Sequence, residues 1–389
     1  GAGIGADAIG GVIQIFTRRG EGPARVNAST GYGSFNTSDT TIGVSGGSDL
    51  VSYSVQAGYL NTDGFNAIHN KQSVFYDPDR DGYYNRNLSA NFAVRPAKGH
   101  EIGVNLLASK GSNQYDGNDF SALGPAKNYN NDQMVGSYSI YSRNRLHQAW
   151  TSTLRLGRST DQAKDYAGSF RASTFRTDMD LASWQNDIRL PVGEALLAAE
   201  YTRQKVSGTT DYTVSERTIR SLLAGWNASI DQHRLQFNLR RDDNSQFGGE
   251  TTGSAAYGYQ FTPEWRAHVS YGTAFRAPTF NELYFPASGF FAGGNPDLKP
   301  ETAKNTEVGV NWEQAGHRFS AVLYNNELSD LIEYRPPTFA PVNVSEALLR
   351  GATFTYDGRF SEWGMGFAVD FLDPRNEENG PNKGNRLAR

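Results

Sequence analysis

The stretch YDPDRDGYYN, residues 76–85, sets Asp77, Asp79 and Asp81 at alternate positions ahead of Gly82. Acidic side chains spaced this way can converge their oxygens on one cation, and D-x-D-x-D-G is how a helix–loop–helix calcium loop begins. Such a loop needs a bidentate Glu at its last ligand position. Leu88 stands there, so the complete motif is absent. Two readings stay open: three carboxylates holding Ca²⁺ weakly, or a solvated acidic turn before a strand. A second stretch, FPASGFFAGG at 285–294, sets Phe285, Phe290 and Phe291 in a long Gly-containing segment. Exposed apolar loop residues mark a binding surface or pack on neighbouring loops.

The elements that must position these residues are strands. WRAHVSYGTAFRAP, residues 265–278, divides at every second residue. Trp265, Ala267, Val269, Tyr271, Thr273 and Phe275 form one set; Arg266, His268, Ser270, Gly272 and Ala274 form the other. Strict alternation predicts a strand with two unlike faces. The same pattern recurs in SYSVQAGYL, EIGVNLLAS, RSLLAGWNASI, RLQFNLR, SAAYGYQF and EVGVNW. About 17 such segments run along the chain, most near the length a tilted membrane-spanning strand requires. Short turns near 46–49, 96–99, 142–145, 191–194, 231–232, 262–264, 315–316 and 361–363 alternate with longer polar stretches near 62–84, 111–132, 162–178, 208–215, 243–251, 276–300, 328–342 and 374–389. That rhythm puts all short turns at one end, as in outer-membrane barrels with short periplasmic turns and longer extracellular loops.

This assigns the faces. With Trp265, Val269 and Phe275 toward lipid, the aromatic ends sit at the two interfaces and Arg266 faces a wet lumen. The opposite register would put Arg266 against hydrocarbon, at a cost of about 2–4 kcal/mol near the midplane. The expected fold is all-β: a transmembrane antiparallel β-barrel. An odd number of strands is unusual for a bacterial barrel, and about five more would complete a 22-stranded type.

Composition agrees. The chain has 389 residues, no cysteine, 42 Gly, 20 Tyr and 22 Phe. Without Cys there are no disulfides, thiolate metal sites or Cys nucleophiles. A net charge of −4 gives no nucleic-acid signal. Mean hydropathy is −0.58 and no long apolar run appears, which excludes a membrane helix but not a barrel. His69, His100, His147, His233, His268 and His317 are scattered, and no Ser/His/Asp constellation, P-loop or dinucleotide fingerprint occurs. Catalysis is not expected.

Two motifs resemble TonB-dependent outer-membrane receptors. GADAIGGVIQIFTRRG at 5–20 is similar to the G-x-x-AIGGVINI-x-T segment that closes their plug domain, through Gly5, Ala8, Ile9, Gly10, Gly11, Val12, Ile13, Ile15 and Thr17. YGTAFRAPTFNELYFPASGFFAGGNPDLKPETAKNTEVGVNW at 271–312 resembles their F-R-A-P…E-L-Y…G-N-P-x-L-x-P-E…E-x-G signature. The resemblance implies residues 1–17 as the end of a plug, 18–24 as a linker and 25–389 as an incomplete barrel. RDDNSQFG at 241–248, YNNELSDLIEY at 324–334 and the DFLDPRN…NRLAR ending resemble the branch of the family that takes up cobalamin. It implies energised uptake of a corrinoid, with ferric-siderophore uptake as the alternative and a passive porin third. The partners implied are TonB with ExbB–ExbD, acting on a plug that lies mostly before Gly1, the cobalamin or siderophore ligand, and outer-membrane lipid, with the protein a monomer.

That branch also implies Ca²⁺ held by acidic residues of early extracellular loops. The corresponding stretches here, NQYDGND and TDQAKDYAG, offer Asp116, Asp119 and Asp165, followed by Asp178 and Asp180. Tyr115 and Tyr166 lie beside these acids and join Phe285, Phe290 and Phe291 as candidate substrate contacts.

Overall fold

The computed structural model describes residues 19–73, 76–117, 129–168, 170–289 and 291–387. Among the described residues, seventeen strands form one antiparallel sheet. The first nine are β1 (Arg25–Gly33), β2 (Thr37–Gly47), β3 (Val51–Thr62), β4 (Tyr83–Ala97), β5 (His100–Tyr115), β6 (Tyr129–His147), β7 (Trp150–Ala167), β8 (Phe170–Arg189) and β9 (Glu194–Gly208). The rest are β10 (Glu216–Ile230), β11 (His233–Asn244), β12 (Gly248–Gln260), β13 (Trp265–Arg276), β14 (Glu301–Gln314), β15 (His317–Arg335), β16 (Ala340–Phe360) and β17 (Trp363–Asn376). Each strand pairs with its neighbours in sequence, from β1–β2 through β16–β17, so the topology is an up-and-down meander. Among the described residues β1 pairs with no strand but β2, and β17 with none but β16.

Register carries the alternation across the sheet. Trp265 faces Trp312, which faces Phe319, then Tyr356, then Phe367. These rings form a row on the outward face near the short-turn end; Trp265 and Trp312 lie 6.3 Å apart and Tyr356 and Phe367 5.4 Å apart. Above it Val269, Val308 and Leu323 are aligned and 42–60% exposed. Apolar side chains so uncovered require lipid, because monomeric soluble proteins do not expose apolar belts of that extent. Tight turns close the hairpins. Ala315 and Gly316 both adopt positive φ, 50° and 85°, the type I′ geometry whose twist matches flanking strands.

Three stretches read from sequence as loops are paired strand. Residues 162–178 lie almost wholly in β7 and β8, 243–251 partly in β11 and β12, and 328–342 largely in β15 and β16. Beyond the lipid belt both faces of a strand are wet. Hydrophobic alternation disappears there while backbone pairing continues, so the polar sequence imitates a loop. Among the described residues there is also one short helix, α1 (Phe280–Tyr284), within the β13–β14 connection. Its signature was present: Thr279 and Glu282 form a reciprocal capping box, the T-x-x-E pattern. The expected plug ending at 1–17 lies outside the described residues.

Candidate functional site

The long connections gather at one end of the barrel and build two features. The first is acidic. Asp79 and Asp81, in the connection from β3 to β4, and Asp116, just past β5, bring one carboxylate oxygen each within 4.8 Å of one another. Two loop-to-strand hydrogen bonds hold them there: Gly82 N donates to Gln114 Oε1 at 3.0 Å, and Gln114 N donates to Gly82 O at 2.9 Å. Gly64 permits the approach. It adopts φ +66°, and a Cβ there would lie 1.8 Å from the Asp81 carbonyl oxygen. Burial, then like charge from Asp77 and Asp116, raises the Asp79 pKa above its ordinary value. Burial, then Asp116 and Asp79, does the same for Asp81. Asp116 Oδ2 is buried with no hydrogen-bond partner. No guanidinium or ammonium pairs with these three acids among the described residues, so the cluster lacks a counter-charge. An all-oxygen donor set with an orphaned buried oxygen fits a hard divalent cation.

Asp77 stands at the edge of this group rather than inside it; its carbonyl accepts from the Asn66 side chain. Asp165 faces inward on β7, accepting from Asn131 Nδ2 and Ser173 Oγ, each at 2.6 Å. Its charge reaches Tyr115, whose ring lies 5.7 Å from that of Tyr129. Tyr166 sits at the β-bulge between β7 and β8. Asp178 and Asp180 are not brought to the cluster. Strand alternation turns them to the outer wall, where Asp178 pairs with Arg176 (2.8 Å) and Asp180 with Arg203 (2.8 Å). Asp119 and Phe290 lie outside the described residues.

The second feature is aromatic. Phe285 packs edge-on to Phe291 at 5.7 Å, and on its other side to Tyr212 at 6.3 Å. Tyr212 continues to Phe175 at 6.3 Å, and Phe291 to Tyr334 at 6.1 Å. Five rings from β8, the β9–β10 connection, the β13–β14 connection and β15 thus form one row along the rim. Sequence reading reached Phe285 and Phe291 but missed Phe175, Tyr212 and Tyr334, which lie far apart in the chain and share no local pattern.

A buried ion network supports this row. Arg276, at the end of β13, contacts Glu301 (2.6 Å) and Glu282 (3.0 Å). Glu282 Oε2 also accepts from Thr279 N at 2.7 Å, and Glu301 Oε1 from Ile332 N at 2.8 Å. Burial tends to raise the Glu282 pKa, but hydrogen bonds from Arg276 and the Thr279 backbone outweigh it and hold the group below its ordinary value. Arg217 Nη1 donates to Pro278 O at 2.8 Å and its guanidinium lies 5.0 Å above the Phe280 ring. Lower on the lumen wall, Arg240 bridges Asp242 (2.9 Å) and Glu200 (2.8 Å).

The chain with this geometry, an outward aromatic row, a polar inner face and long connections at one end, matches over residues 18–389 a family model described as TonB dependent receptor-like, β-barrel. The chain belongs to the TonB-dependent receptor β-barrel family. It is therefore an outer-membrane barrel, and the family is one of receptors rather than enzymes. A vitamin B12 transporter, BtuB, of Photobacterium profundum is 27% identical over 382 residues, covering 96% of this chain and 61% of the relative. The BtuB of Vibrio vulnificus is 26% identical over 358 residues, covering 89% and 56%. The chain thus spans about three-fifths of the length of these curated relatives. Among solved structures, the siderophore receptor PirA from Acinetobacter baumannii superposes with TM-score 0.77 at 19% identity, over 98% of this chain and 66% of PirA. The ferric enterobactin receptor PfeA of Pseudomonas aeruginosa gives 0.77 at 17% identity, over 95% and 64%. At those identities the structures speak for the fold alone.

Proposed function

We propose that this TonB-dependent receptor barrel serves energised uptake of cobalamin or another corrinoid. The observation that carries the reading is the Asp79, Asp81 and Asp116 cluster with its orphaned Asp116 Oδ2, on the loop rim of a barrel whose sequence relatives are vitamin B12 transporters. Asp79, Asp81 and Asp116 hold Ca²⁺, with Asp77 at the margin. The ion supplies the positive charge that three crowded carboxylates lack, and it fastens the β3–β4 connection to the end of β5. The ordered rim then presents Tyr115 and the aromatic row through Phe285 and Phe291 to a bulky ligand. Uptake proceeds by remodelling of a plug, driven by TonB with ExbB–ExbD.

One observation favours a second reading. A continuous row of five rings suits an aromatic iron–siderophore as well as a corrinoid. Equilibrium binding to the native protein in detergent separates the two. Cyanocobalamin binding that tightens with added Ca²⁺ and loses that response in Asp116→Asn supports the corrinoid reading. Tight ferric-siderophore binding with none for cyanocobalamin overturns it.

A further inference from the structure

We propose that the linker ahead of β1 is a load-bearing joint: residues 19–22 take tension applied to the chain upstream of them and pass it to the wall at β2 and β5, so that β1 is not drawn out of the sheet. The inference rests on the TonB-driven part of the function proposed above, and not on which ligand the receptor carries.

Two kinds of contact make the joint. The first is backbone against backbone. Gly20 is buried, and a Cβ on it would run into the carbonyl oxygens of Tyr53 and Gly46. A Cβ on Gly47 would lie 2.7 Å from the Gly20 carbonyl oxygen. Gly47 N donates to Gly22 O at 2.8 Å. The linker therefore lies on the end of β2 and the start of β3 with no layer of side chains between. The second contact is ionic. Arg19 Nη1 donates to Glu101 Oε1 at 3.2 Å and to Oε2 at 3.5 Å. Glu101, on β5, is 9% exposed. It is fixed in turn by Arg95 Nε of β4 at 2.9 Å and by the Tyr141 hydroxyl of β6 at 2.8 Å. Arg95 Nη1 also donates to Ser48 O at 3.3 Å, in the turn between β2 and β3. One carboxylate thus ties the linker to three adjacent strands.

Placement gives these contacts their purpose. Arg25, the first residue of β1, is the register partner of Ser45, so the linker stands at the short-turn end. A pull from that side meets residues 19–22 before it meets β1. Without the joint the load would pass straight into β1, whose nine residues are all exposed and which among the described residues pairs only with β2. A segment that merely connects two parts runs solvated over the surface. This one is sunk against glycines and ends on a buried carboxylate with charge-assisted hydrogen bonds. Glu101 is a positioning residue in this scheme: it acts through Arg19.

The test pulls the native protein, reconstituted in a lipid bilayer, by its N-terminus from the short-turn side at constant force, and reads the contour length released. The instrument replaces TonB and no ligand is present, so a receptor that does not bind cyanocobalamin leaves this outcome standing. Wild type is expected to pause in a held state once the chain upstream of Arg19 is extended. Loss of β1 then adds about 30 Å for its nine residues. Glu101→Gln is expected to shorten the held state about tenfold, the worth of one hydrogen bond to a charged group. Gly20→Ala, which displaces the linker and leaves Glu101 intact, is expected to shorten it likewise. Glu313→Gln removes an exposed ion pair with Arg318 (3.1 Å) at the same end and should change nothing. Steps from β7 onward should keep their wild-type lifetimes in every variant. A shortened pause in either joint variant, with those later steps unchanged, supports the proposal. Extension of wild type through β1 without a pause overturns it. So do pauses of wild-type length in both joint variants, an equal loss in Glu313→Gln, or later steps shortened as much as the pause, which would make Glu101 a general support of the sheet.

Discussion

Two connections at the same end of the barrel handle charge in opposite ways. The β13–β14 connection, 277–300, brings its own counter-ion: Arg276 lies between Glu282 and Glu301, and both carboxylates are further satisfied by backbone N–H groups. The β3–β4 connection, 63–82, does not bring one to its cluster: its Arg80 turns instead to Asp63, 3.6 Å away. Asp79 and Asp81 meet Asp116 with no basic side chain between them, and one buried oxygen is left without a partner. The first loop is complete on folding. The second leaves Asp79, Asp81 and Asp116 without a counter-charge among the described residues. The rim thus has one wall, carrying α1 and the aromatic row, that is paired within itself, and one wall whose order, on the Ca²⁺ proposal, depends on the medium.

The sharpest way to break this contrast is to remove the counter-ion from the self-sufficient loop. Arg276→Leu leaves two buried carboxylates facing each other. Losing one partner of such a network costs about 3–5 kcal/mol. Limited proteolysis should then cut within 277–300, and the thermal unfolding midpoint in detergent should fall. Resistance equal to wild type would mean that packing of Leu283 and Pro278, both fully buried, holds the loop without the ions.

A smaller effect is expected from Gly64→Ala. The added Cβ would lie 1.8 Å from the Asp81 carbonyl at φ +66°, so the 63–82 loop must move. Strain of this kind costs about 1–3 kcal/mol. Cleavage inside 63–82 should accelerate while 277–300 stays protected. If both loops loosen together, the two walls are coupled and the contrast fails.

How much of this was readable beforehand follows from the physics of each part. The spanning portions of the strands announce themselves because lipid on one side and water on the other impose period two; Trp265 to Phe275 shows it without help. Residues 162–178 do not, because water wets both faces there and only backbone pairing marks the strand. The FRAP segment and its helix cap are local patterns. The acidic triad is not: Asp79 and Asp81 were legible as a pair by spacing, but Asp116 joins them only through the pairing of β4 with β5. Nor does spacing say which way a strand acid points, and alternation sends Asp178 and Asp180 to the outer wall although Asp165, on the adjacent strand, turns inward.

Ca²⁺ sharpens the comparison further. Wild type should gain about 1–2 kcal/mol of protection in 63–82 when the ion is well above its dissociation constant. Asp116→Asn should lose that gain. In the absence of Ca²⁺ the variant should be slightly more protected than wild type, because one of three repelling charges is gone. Hydrogen exchange across 63–82 reads both. A loop in wild type that ignores Ca²⁺ would remove the need for an outside charge.

The smallest expected effect is also the one that separates the loops by sign. The pKa values of Asp79 and Asp81 are raised above the ordinary 3.8, so the folded loop binds protons that the unfolded loop has released. Without Ca²⁺, protection of 63–82 should therefore rise as pH falls toward 3.8. Glu282 is held below its ordinary 4.5. Its contribution is full above 4.5 and is lost as pH drops through the lowered folded value, so protection of 277–300 should fall over the same acid range. Both groups are partly wet, and each effect should stay under about 1 kcal/mol. Hydrogen exchange on one sample, taken from neutral pH to pH 4 with chelator present, measures the two loops at once against the intrinsic rate at each pH. Opposite slopes would follow from one loop carrying its counter-charge and the other lacking it. Parallel slopes would mean that acid acts on the barrel as a whole, and the distinction between a fixed wall and an ion-dependent wall would have no electrostatic basis.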